Sequence, residues 1–117
     1  MKTTFHTAAL ATMLLLVQPA VAEIVTLVNA VETSPSSIIL PSVANGMMTF
    51  NTCAGECEDD FRRARITAET RFTVDGKAVK FEDFRREFAD IKLSKTSYAL
   101  VSYATDTNTV TRIDINR

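Results

Sequence analysis

Two cysteines, Cys53 and Cys57, lie in the stretch "NTCAGECEDD" and carry the most reactive side chains of the chain. Glu56, Glu58, Asp59 and Asp60 crowd around the second of them. Cysteines at this spacing can do redox chemistry, hold a metal, or close a disulfide. A redox pair of the thioredoxin kind uses Cys-x-x-Cys at a helix start, with positive charge favouring the thiolate. Here the spacing is Cys-x-x-x-Cys and the neighbouring charge is negative, which disfavours the thiolate. A metal site would need further Cys or His ligands, and the Asp-x-Asp-x-Asp-Gly pattern of a calcium loop is missing. A structural Cys53–Cys57 bridge fits best. Gly55 supplies the permissive backbone that a tight ring requires, and closing five residues removes about 2 kcal/mol of chain entropy.

The one histidine, His6, lies within the first 22 residues. That stretch, "MKTTFHTAALATMLLLVQPAVA", has a basic start, a nearly unbroken apolar run of ten residues from Ala8 to Val17, and the small-x-small sequence Ala20-Val21-Ala22. It reads as a secretory signal peptide cleaved after Ala22, and its apolar run is too short for a spanning helix. Residues 23–117 would then form one small β-rich domain of 95 residues, exported to the periplasm or beyond, where disulfides persist. Without histidine, that domain lacks the Ser-His and Cys-His nucleophile systems, His-ligated zinc and the commonest general base. No phosphate-cradling glycine motif occurs either. The sequence therefore predicts a protein without catalytic residues, metal or cofactor. Removing Lys2 leaves a net charge of −2, with no general attraction to nucleic acid or anionic lipid.

Some side chains could still make contacts. Arg63, Arg65 and Arg71, joined by Arg62, stand on the polar side of "RARITAETRFTV" and could form a stripe for an anionic oligosaccharide or oligonucleotide. A solvated strand face guarding an edge is the plainer reading, and Glu69 interrupts the row. Tyr98 and Tyr103 have opposite parity, so at most one belongs to the core. Tyr103 could stack on a ligand or simply pair across the strand with Val110. Adjacent Glu82 and Asp83 are explained by a helix start, where the dipole favours acids.

The elements that would position these residues are mostly strands. "EIVTLVNAVE" is apolar on both faces, "ETSPSS" is a turn, and "SIIL" reads as a short strand stopped by Pro41. Asn45-Gly46 marks a turn before the strand "MMTFNTC". From Arg63 to Val74, polar and apolar residues alternate for twelve positions, a strand of about 40 Å. Few strands run so long, so a bend or bulge is expected near Ala68-Glu69. Asp75-Gly76 then forms a two-residue hairpin turn pairing Val74 with Lys77, Phe72 with Val79 and Thr70 with Phe81. "FEDFRREFADI" changes period, with Phe81, Phe84 and Phe88 on one helical face packing onto the sheet. In the last hairpin, an even loop within Thr105–Asn108 sets Leu100 against Ile113 and Tyr98 against Ile115.

Strand, strand, strand, helix, strand, strand from residue 46 onward is the element order of a small OB-like barrel, with the two earlier segments as additional strands. A strongly curved antiparallel sheet with a helix on one face is the competing architecture. "TRFTVDGKAVKFEDF" with the closing "VTRIDI" strand resembles small secreted bacterial β-barrel domains of unknown function over residues 63–116. That resemblance implies a mainly β fold with one short helix and an exported location. The functional expectation is an exported, non-catalytic module that binds an envelope or extracellular protein or glycan. The alternatives are an anionic-oligomer binder using the arginines and a thiol-disulfide protein.

Overall fold

The computed structural model describes residues 27–53 and 60–117. The expected signal peptide and Cys57 lie outside these residues. The described elements are β1 (Val28–Thr33), a 3-10 turn (Pro35–Ser37), β2 (Met47–Asn51), β3 (Phe61–Val74), β4 (Lys77–Val79), α1 (Phe81–Ile91), β5 (Tyr98–Ala104) and β6 (Thr109–Asn116). The strands form one sheet in the order β1-β5-β6-β3-β2, with β4 also paired to β3. Every pair is antiparallel except β3 with β6. The sheet is strongly curled into a half-barrel, and its inner face and α1 enclose the core.

β3 organises this architecture. Its N-terminal half pairs with β2, its C-terminal half pairs with β4, and β6 runs along its other edge. Ala64, Ile66, Phe72 and Val74 face inward as the alternation requires, but Ala68 is exposed. The cause is the expected irregularity. Between the pairs Ile66–Val110 and Arg71–Arg112, β3 carries more residues than β6. Thr70, buried within this excursion, donates its hydroxyl to the Val110 carbonyl at 2.6 Å and accepts the Thr67 amide at 2.9 Å. A threonine on the core side of the strand thus replaces the ladder bonds that the bulge removes.

The Asp75-Gly76 turn forms as the sequence indicates. Asp75 (φ 50°) and Gly76 (φ 80°) both take the left-handed conformation of a type I′ turn. Val74 pairs with Lys77 and Phe72 with Val79. The further pairing of Thr70 with Phe81 does not form, because β4 ends at Val79 and Phe81 opens the helix. The helical period of the phenylalanines outweighs continuation of the strand.

Phe84 is fully buried, with its ring 4.9 Å from Phe72 and 6.0 Å from Phe88, while Phe81 lies 5.5 Å from Phe72. An eleven-residue helix has little stability alone. Burying Phe81, Phe84, Phe88 and Ile91 against the inner face is what holds it. Glu82 and Asp83 occupy its first turn, and Asp83 makes an exposed ion pair with Arg86 at 3.5 Å.

Two readings of the sequence require correction. The segment from Ser36 to Pro41 makes a 3-10 turn and a single bridge from Ile39 to Thr49 instead of a strand. Prolines at 35 and 41 bracket it and cannot donate ladder hydrogen bonds. The β5–β6 hairpin does have a four-residue loop, with Ala104 opposite Thr109 and Tyr103 opposite Val110. Beyond it the register shifts between Ser102 and Tyr103, so Leu100 faces Asp114 and Tyr98 faces Asn116. Thr111 is the extra residue, and its hydroxyl is held by the Ser102 carbonyl at 3.1 Å. This bulge keeps Val110, Ile113 and Ile115 all on the core side, which uninterrupted alternation of β6 could not do.

Candidate functional site: the outer face of the half-barrel

The core fills the inner face; depressions open beside α1, near Ser42 and Arg85, and on the outer face of the sheet. Strand pairing places Tyr98 and Leu100 of β5, Arg112, Asp114 and Asn116 of β6, and Arg71 and Thr73 of β3 on the outer face. Two adjoining depressions lie there and share Thr73 and Arg112. One, of about 440 Å³, is flanked by Arg71, Ala78 and Val79. The other, of about 290 Å³, is flanked by Tyr98, Leu100 and Asp114. Together they form a shallow trough across β1, β5, β6, β3 and β4, with the small residues Gly76 and Ala78 at its β3–β4 end.

The polar groups of the trough are held by one another. Asp114 accepts from Arg112 Nε at 2.7 Å and from the hydroxyl of Thr73. Both of these contacts fall on its Oδ1. The Arg112 guanidinium is thereby oriented through Nε, leaving its terminal amino groups directed elsewhere. Arg71 is the direct partner of Arg112 across the parallel β3–β6 pair, is exposed, and makes no ion pair among the described residues. Two like charges side by side on a sheet are mutually unfavourable. One carboxylate compensates only part of that charge.

The predicted arginine stripe is not one surface. Arg62 has inner-face parity, beside Phe50 on β2, with its guanidinium 4.6 Å above the Tyr103 ring. Its Nε is buried without a hydrogen-bond partner among the described residues. Arg63 and Arg65 face outward on the N-terminal half of β3, where Arg65 donates to the Asn45 carbonyl at 2.9 Å. Arg71 lies beyond the bulge with Arg112, which the sequence reading did not include. Tyr103 is 5% exposed and packs on Phe50 at 5.3 Å, so it belongs to the core and forms the cross-strand pair with Val110. The accessible tyrosine is Tyr98, 47% exposed.

Cys53 lies two residues beyond the end of β2. The Asn51 side chain accepts the amides of Cys53 and Asp60, at 2.9 and 3.2 Å, and the Thr52 amide donates to the Asp60 carbonyl at 2.8 Å. The two ends of the segment containing Cys57 are thus drawn together at the base of the β2–β3 hairpin. Cys53 also borders a polar cleft of about 310 Å³ that includes Lys95, Ser97 and Tyr98.

The β3–β4 turn has its own electrostatics. The backbone amide of Arg117 donates to one Asp75 carboxylate oxygen and its Nε to the other, both at 2.9 Å. These hydrogen bonds, backbone first, and the guanidinium charge hold the Asp75 pKa below the usual carboxylate value. Arg117 also reaches Glu87 at 3.1 Å, tying the turn to α1. No group of three or more potential metal ligands occurs among the described residues. No helix among them is long and apolar enough to cross a membrane. No protein-family profile matches the chain, and neither curated proteins nor solved structures show significant similarity to it.

Proposed function

We propose that this protein is an exported, non-catalytic binding module, stapled by a Cys53–Cys57 disulfide, whose contact surface is the outer face around Tyr98, Leu100, Arg71 and Arg112. The observation that carries this reading is the trough. It places an exposed tyrosine, a half-buried leucine and two guanidiniums on one sheet surface that no described element covers. Tyrosine and arginine are the residues that contribute most per side chain at recognition surfaces. Support for the staple comes from the Asn51 and Thr52 hydrogen bonds that bring the ends of its segment together.

Site-specific photo-crosslinking tests the contact surface. A photoreactive amino acid at Leu100 of the full chain, expressed in cells that export it, gives discrete adducts, whereas the same probe at the exposed helix position Asp90 gives none. Equal labelling from both positions, or adducts from Asp90 alone, overturns the outer-face assignment. The staple is tested by alkylating the purified protein before and after reduction and measuring its mass. Two thiols alkylated without reductant would refute it.

A thiol-disulfide role has one observation in its favour, the polar cleft that Cys53 shares with Lys95. A reduction potential below about −300 mV assigns the bridge to structure, and a value near about −180 mV or higher assigns it to exchange.

A further inference from the structure

The trough carries two guanidiniums at one end and Tyr98 and Leu100 beside the carboxylate of Glu32 at the other, and this difference in charge restricts what can lie in it. At the β3–β6 end, Arg71 and Arg112 are direct cross-strand partners, and among the described residues Asp114 alone makes an ion pair with either. A guanidinium oriented through Nε, beside a second one without an ion pair among the described residues, presents paired donors suited to a carboxylate or sulfate. At the β5 end lie the exposed Tyr98 ring and Leu100. Glu32 of β1 sits opposite Leu100 and makes that end unfavourable to an anion. Along the strands, Arg112 and Tyr98 stand about 14 Å apart by strand geometry. That span exceeds the size of a single small anion.

We infer that the trough binds an acidic oligosaccharide, with an acid group of one sugar on Arg71 and Arg112 and the flat face of an uncharged sugar on Tyr98. This rests on the outer face being the contact surface and adds the ligand class. A polymer acidic at every unit places charge against Glu32, so alternation of acidic and neutral units fits best.

The test is titration of the purified oxidised protein, followed by NMR and calorimetry, with a hyaluronan hexasaccharide, in which uronate alternates with a neutral sugar. Neutral chitohexaose, a galacturonate hexamer and hexaglutamate serve as the comparison arms. Binding to the hyaluronan fragment is expected, with shifts at Arg71, Arg112 and Tyr98 and weakening as salt is raised. Arg71→Gln and Arg112→Gln each reduce affinity about tenfold, and Tyr98→Ala reduces it several-fold. Arg63→Ala, on the other half of β3, leaves it unchanged. The galacturonate hexamer binds more weakly, and Glu32→Gln brings it closer to the hyaluronan fragment. Circular dichroism confirms that each variant remains folded.

Absence of binding at millimolar hexasaccharide overturns the inference, as does affinity unchanged in both arginine variants. Equal binding of hexaglutamate overturns it in favour of an acidic peptide. Equal binding of chitohexaose removes the role of the arginines. Crosslinks from Leu100 without saccharide binding would leave the contact surface standing and dismiss only the ligand class.

Discussion

Replacing Thr70 by valine isolates one hydroxyl on which the bend of β3 depends. The two side chains have nearly the same shape, so packing is retained while the hydroxyl is lost. In the native fold it donates to the Val110 carbonyl at 2.6 Å and accepts the Thr67 amide at 2.9 Å, at a residue only 8% exposed. Both groups lose this partner in Thr70→Val, and water has little access. An unsatisfied buried group costs about 1–3 kcal/mol, and the carbonyl retains a second lone pair, so the combined loss is about 2–4 kcal/mol. For a domain of this size the urea dependence is about 1 kcal/mol per molar. The unfolding midpoint should therefore fall by roughly 2–4 M with an unchanged slope. Thr70→Ser retains both hydrogen bonds, loses one methyl, and should cost about 1 kcal/mol. Equilibrium urea unfolding measures all three, and hydrogen exchange at the Thr67 amide reports the bond directly. The reasoning fails if Thr70→Val lies within about 0.5 kcal/mol of the parent, or if Thr70→Ser is equally damaging.

Three further outcomes are expected. Asp75→Asn keeps the turn, since asparagine tolerates the left-handed conformation, but removes the carboxylate whose pKa Arg117 lowers. The parent's advantage should be complete above the unfolded-state pKa near 3.8, and lost as pH falls through the lower folded-state value. Urea midpoints of both proteins from pH 7 to pH 2 check this, and a constant difference across that range would contradict it. Gly46→Ala places a methyl 2.3 Å from the Pro41 ring. It should cost about 1–3 kcal/mol, read as a lowered thermal midpoint, and no shift would mean that the 41–46 turn moves freely. Phe84→Ala empties the contact with Phe72 and Phe88 and should cost about 3–5 kcal/mol. Helical circular dichroism should fall with stability, and a fully retained helix would show that α1 does not depend on this anchor.

The candidate site was less legible than the fold. Tyr98 and Tyr103 could be assigned to opposite faces by parity, but nothing local said which face was filled. That depended on the core requiring Tyr103 beside Phe50. The arginines of β3 were visible as a group, yet only the bulge and the inner-face position of Arg62 separate them. Arg112 lies some forty residues from Arg71 in the chain, and no period or motif links them. The parallel pairing of β3 with β6 does.

Local chemistry was sufficient for the Asp75-Gly76 turn, the bend after Ile66 and the helix from Phe81, because each depends on residues within one turn or one strand. The register of β6 was not decided that way. Pattern matching opposed Leu100 to Ile113, whereas the folded sheet inserts Thr111 and opposes Leu100 to Asp114. Turn preference and side-chain period act over a few residues. A bulge is chosen by the total burial of several strands at once, and it is those long-range choices that bring Arg71, Arg112 and Tyr98 onto one surface.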